Sequence, residues 1–120
     1  MTTLDSEERR YVLEARVGAA AAKAVMTARR RGRRVDVTVD RVEPPRMEPA
    51  VRILAELIAH SHSPWLYRGP RWAGRRKREQ LQAGPARLIL EAVYGGDGWL
   101  HEAHITGRGV KAHIRLADEH

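Results

Sequence analysis

The stretch from Asp5 to Arg31 reads DSEERRYVLEARVGAAAAKAVMTARRR, and the way it folds decides the architecture around everything that follows. Asp5 suits a helix N-cap, Glu8 stands at the capping-box position, and the acids complement the positive end of a helix. Leu13, Val17, Ala20, Ala24 and Ala28 then recur at helical spacing, widened by Val12, Ala15, Ala19, Ala22 and Met26. Arg29, Arg30 and Arg31 suit the negative end, and Gly32 supplies a left-handed stop. The periodicity predicts one long helix. Its four alanines from 19 to 22 would admit a close neighbour, including a second copy of the same helix.

Outward from that stretch the pattern changes. Val35, Val37 and Val39 alternate with Asp36, Thr38 and Asp40, the mark of a half-buried strand, and Val42 breaks the parity, so a bulge or the strand end is expected near Asp40-Arg41. After Pro44-Pro45 a second helix is predicted from Pro49 to about His60, with Val51, Leu54, Ala55 and Ile58 inward and Ile53 and Leu57 broadening that face. Residues 63–74 read as an irregular connection, and a short basic helix is expected from about Arg75 to Ala83. Ala86–Tyr94 fits either period, with the following Gly95-Gly96-Asp97-Gly98 favouring a strand. Trp99–Thr106 and Val110–Leu116 form the clearest hairpin, across Gly107-Arg108-Gly109. The expected fold is α+β: a mostly antiparallel sheet of three to four strands packed on one face by two or three helices, in the order α-β-α-(short α)-β-β-β. The whole of 1–120 reads as a single compact domain with a basic, aromatic-containing connection at about 63–84.

Composition bounds the function. Zero cysteines exclude a disulfide framework, a thiol nucleophile and thiolate metal sites. No signal-peptide pattern and no apolar run near 18 residues stands in the sequence, so a cytoplasmic protein with no membrane partner is expected.

The positive charge is clustered. Of 22 basic residues, 11 fall in two blocks without an acid: Arg29, Arg30, Arg31, Arg33 and Arg34, then Arg68, Arg71, Arg75, Arg76, Lys77 and Arg78. The remainder carries 11 bases and 15 acids. Two basic patches on a mildly acidic body point to nucleic acid or another polyanion, with the arginines as phosphate anchors and Trp65, Tyr67 and Trp72 as candidate base-stacking residues. Helix-end compensation explains two or three of the first block, and the aromatics equally suit pinning a long connection onto the core.

The six histidines form no zinc-protease pattern, since His60 and His62 are two apart. His104 and His113 are expected on one sheet face near Glu102. In one hairpin register His104 faces His113, and in the other Glu102 does. That group has the donors of a weak metal site or an acid–base pair, yet a solvent face carries such side chains without special cause. His101 is expected to share the inward parity of Ala103. Asp36 and Asp40, with Glu102 if the strands are neighbours, are the acids available to hold Mg²⁺ for phosphodiester cleavage.

The leading expectation is a small nucleic-acid-binding protein, non-enzymatic and without a cofactor or assigned metal ligand. The alternatives are an assembly or regulatory protein acting through a protein–protein interface, homodimeric across the first helix, and a metal-dependent nuclease.

Overall fold

The computed structural model describes residues 6–32, 34–60, 65–66, 76–83, 86–96 and 98–117. Its elements are β1 (Ser6–Val17), β2 (Ala20–Arg31), β3 (Arg34–Glu43), a short 3-10 turn (Pro45–Met47), α1 (Glu48–His60), β4 (Arg76–Ala83), β5 (Ala86–Tyr94), β6 (Leu100–Gly107) and β7 (Val110–Leu116). The strands form one seven-stranded sheet in the order β3-β2-β1-β7-β6-β5-β4, with every pairing antiparallel.

This corrects the expected count of strands and helices, while the α+β class and the antiparallel pairing stand. The long helix of residues 5–31 is a hairpin. Tyr11, Leu13 and Ala15 alternate with Glu14 and Arg16 at period two, and Gly18 takes a left-handed conformation (φ 61°) in the turn to β2. Alanine, leucine, glutamate and arginine are strong helix formers, but burying one face of each strand against the sheet outweighs local propensity. A homodimer across that first helix therefore has no helix to use. The short basic helix at 75–83 is β4, paired throughout with β5, and Ala86–Tyr94 is the strand its glycine-rich exit suggested. Among the described residues only α1 is an α-helix, and none is long and apolar enough to cross a membrane.

One face of the sheet carries the core. Tyr11, Leu13, Met26, Leu90, Ile105 and Ile114 are fully enclosed there. Val51 and Leu54 of α1 join them, whereas Ile53, expected to broaden the inner face, points away and is 61% exposed. Ala15 and Ala22 give the helix room to approach, and a small apolar cavity of ≈ 230 Å³ remains between them and α1. Trp65 is buried against Tyr11, with ring centroids 5.1 Å apart, and the Leu100 N–H donates to its carbonyl. It pins the connection onto the core, the structural role anticipated for it. The hydroxyl of Tyr11 donates to the carbonyl of Leu100 at 2.8 Å, tying β1 to the start of β6.

Two bulges tune the pairing. The expected break near Asp40-Arg41 is present: Val39 pairs with Met26 and Arg41 with Val25, leaving Asp40 as the extra residue. In β6 the extra residue is His101, between the Tyr94–Leu100 and Val93–Glu102 pairs. That bulge turns His101 outward into solvent, overturning its expected inward parity.

Candidate metal centre

The face opposite the core is polar, and its register is set by the hairpins. The two-residue loop Arg108-Gly109 pairs Gly107 with Val110, and stepping back along both strands brings His104 directly opposite His113. The other strands continue the same line. Glu43, Lys23, Glu14, His113, His104, Glu91 and Arg78 form a single row across all seven strands. At its centre two imidazoles stand side by side between two glutamates.

The imidazole rings are stacked, 4.4 Å between centroids and 8° from parallel. Both present Nε2 to one carboxylate oxygen: Glu102 Oε2 lies 2.6 Å from His113 Nε2 and 3.9 Å from His104 Nε2. Glu102 occupies the next outward position on β6, one row away. The hydrogen bond with His113 holds its carboxyl below the usual carboxylate range; burial opposes this, and the electrostatic influence of His113, His104 and His101 adds to the lowering. One nitrogen from each histidine and one glutamate oxygen all lie within 4.8 Å of one another. In a tetrahedral zinc site, with bonds of about 2.0–2.1 Å, ligand atoms are about 3.4 Å apart. The two Glu102 distances, 2.6 and 3.9 Å, fall on either side of that value. Glu14 and Glu91, placed opposite His113 and His104, are the register neighbours through which the imidazoles' remaining nitrogens would be oriented.

All three donors are at least partly open to solvent, with side-chain exposures of 54% for His104, 42% for Glu102 and 30% for His113. His104 and His113 border a groove of ≈ 700 Å³ that extends over β1, β2 and β7 and is charged by Glu14, Arg16, Lys23, Glu43 and Lys111, while Glu102 stands just outside it. Three protein ligands, two of them on the groove wall, would leave the fourth position of a tetrahedral ion available to water or substrate.

The other anticipated groups are dispersed. The described members of the two arginine blocks lie toward opposite margins of the sheet, since β3 and β4 are its edge strands. Arg29 is bound by Glu8 through two hydrogen bonds, at 2.8 and 3.1 Å, and Arg30 meets Glu7 at 3.4 Å. Lys77 meets Glu79 at 3.4 Å and Arg78 reaches Glu91 at 4.0 Å. Four anchors thus face acids supplied by neighbouring positions, which the linear sequence hid. Arg31, Arg34 and Arg76 are exposed. Arg33, Arg68, Arg71, Arg75, Tyr67, Trp72 and His62 lie outside the described residues, as does the side chain of His60. Asp36 and Asp40 do not gather with Glu102. Asp40 accepts hydrogen bonds from Thr27 and Thr38, and β3 is separated from β6 by four strand steps, about 19 Å along the sheet.

The sequence placed Glu102, His104 and His113 near one another on a sheet face without assigning them a metal, and Glu14, Arg16 and Lys23 beside them were missed. Their signal was the period-two alternation of β1 and β2, which the helical reading concealed. No family model, curated protein or solved structure matches this chain.

Proposed function

We propose that this protein binds a transition-metal ion of the zinc class on the polar face of its sheet, through Glu102, His104 and His113. The observation that carries the reading is the convergence of two stacked imidazole nitrogens on one carboxylate oxygen. Two neutral imidazoles and a carboxylate suit a borderline ion such as Zn²⁺ better than the all-oxygen shells of Mg²⁺ or Ca²⁺. Glu14 and Glu91 stand at the register positions opposite His113 and His104, from which a carboxylate could hold the second nitrogen of each imidazole.

Titration calorimetry with Zn²⁺ tests the reading. One ion per chain is expected, with affinity falling at least about tenfold in His104→Ala, His113→Ala and Glu102→Gln while thermal stability without metal changes little. Saturable binding that survives all three substitutions would place the ion at other histidines and end this reading.

A second reading, nucleic-acid binding, keeps one specific support. Arg31 and Arg34 are opposite each other at the β2–β3 turn, both exposed, with no ion pair to an acid among the described residues. If they contact phosphates, oligonucleotide affinity falls steeply with salt, and replacing both by Ala lowers the salt slope by about 0.7–0.9 per lost contact. A slope unchanged by that double substitution removes this support.

A further inference from the structure

Arg16 and Lys111 stand directly opposite each other across β1 and β7, on the polar face. Like charges in that position repel, and a folded sheet gains nothing from them unless something negative sits between. Both residues are exposed and line the groove, and neither has an ion pair with an acid among the described residues. Neither acid of the groove forms an ion pair with Arg16 or Lys111 among the described residues. Glu14 is opposite Lys23, and Glu43 is bridged by Arg41 at 3.7 Å. The pair therefore sets two positive charges side by side in the groove with no ion-paired acid among the described residues.

Its position relative to the metal ligands follows from the strands. His113 is two residues from Lys111 along β7, so their side chains share a face about 7 Å apart. Thr106, opposite Lys111 on β6, adds a hydroxyl at the same level, two residues from His104. Along the groove the order is thus carboxylate-and-imidazole set, then hydroxyl and two cations.

We infer that the groove is a binding site for a phosphate monoester, whose dianionic head bridges the metal ion and the Arg16–Lys111 pair. The inference rests on the metal reading above. A phosphate monoester carries three terminal oxygens and close to two negative charges near neutral pH. One oxygen takes the open position of the ion, a second accepts from the Arg16 guanidinium, and the third accepts from the Lys111 ammonium, with Thr106 within the same row. A carboxylate has too few oxygens and too little charge for all three. The ester's organic part extends along the groove toward Lys23 and Glu43.

Two measurements test this. The first is calorimetry of phenyl phosphate against zinc-loaded protein and its Arg16→Gln and Lys111→Gln variants, with Zn²⁺ affinity measured on each. The expected result is saturable phenyl phosphate binding that weakens about tenfold or more in each variant, with Zn²⁺ affinity unchanged. Zinc binding without phosphate binding, or phosphate binding indifferent to Arg16 and Lys111, overturns the inference and leaves the metal reading intact. Absence of zinc binding overturns both. A short single-stranded oligonucleotide lacking a terminal phosphate serves as the competing source of phosphate. Tighter binding of that oligomer than of phenyl phosphate, with the same dependence on Arg16 and Lys111, overturns the monoester assignment.

The second is the melting temperature without metal or phosphate. Lys111→Gln relieves the repulsion and raises it by about 1–4 °C, and the gain vanishes when zinc and phenyl phosphate are present. A lower melting temperature in the free variant would mean that Lys111 is already compensated in the empty groove, and the inference fails.

Discussion

The two faces of the sheet are built from alternate residues of the same strands, yet they answer to different physics. Leu13 is fully enclosed and its neighbour Glu14 is exposed; Ala103 and Ala112 are buried beside His104 and His113. On the inner face the free energy is close packing, and any change of volume is felt through the enclosed neighbours. On the outer face the same backbone holds charges and imidazoles in a fixed row without asking them to stabilise anything. One pairing register serves both. A slip by one residue would expose Leu13 and bury the site's polar groups.

The sharpest way to break this contrast is to truncate adjacent residues of β1. Leu13→Ala should cost about 2–5 kcal/mol, since a fully enclosed leucine leaves a cavity that the sheet and α1 cannot close. Glu14→Ala should stay within about 0.5 kcal/mol. Urea unfolding of the two variants measures both, and similar losses would mean that the faces are not energetically distinct.

The next effect falls on Gly107, where the backbone of β6 runs close under β5. A methyl group there would sit 2.2 Å from Leu88 Cδ2 and 3.0 Å from the Arg87 carbonyl oxygen. Leu88 is itself buried, so its movement displaces the core rather than water. Gly107→Ala should therefore destabilise by about 1–3 kcal/mol. A neutral result in thermal unfolding would show that Leu88 has a free rotamer to move into.

These two positions also show where the sequence was legible. The valines of β3, and Val51 and Leu54 of α1, read correctly because β-branched residues at period two, and apolar residues at 3.6, each favour one assignment; Ile53 did not, and the side chains of Leu57 and Ile58 lie outside the described residues. The final hairpin read correctly through its glycine-flanked turn, and with it the shared face of His104 and His113. Residues 6–31 did not. Alanine fills both faces of β2, so the strand period has little contrast, and leucine, arginine and glutamate raise helical propensity throughout. The signal against a helix was Gly18, seated in the middle of the run. The Arg16–Lys111 pair was hidden for a different reason. It depends on β1 closing against β7 from the far end of the chain, a long-range pairing that no local pattern announces.

A smaller effect separates polar groups inside from those outside. Tyr11 is completely buried and its hydroxyl donates to the Leu100 carbonyl. Tyr11→Phe keeps the ring and removes that bond, at an expected cost of about 0.5–1.5 kcal/mol for a buried hydrogen bond. Phe at this position should preserve the fold and the row on the opposite face, so zinc affinity is unchanged. A fall in zinc affinity would mean that the two faces communicate through β1.

The smallest effect concerns the arginine block that dominates the sequence. Arg29 and Glu8 face each other on the outer side of β1 and β2, joined by two hydrogen bonds, with side chains 48% and 45% exposed. Such a pair is largely solvated, and holding two long side chains in place consumes most of its Coulomb gain. A double-mutant cycle with Glu8→Ala and Arg29→Ala should give a coupling of about 0.2–1 kcal/mol that shrinks in high salt. A coupling well above that range would mean that the pair anchors the first hairpin, and the outer face would then carry stability as well as chemistry. A coupling near zero would mean that Arg29 is held loosely enough to leave Glu8 for an incoming phosphate, which returns the first arginine block to the polyanion reading. The intermediate value expected here assigns Arg29 to local charge balance and leaves other cations of this face, Arg16 and Lys111 among them, to meet an anion.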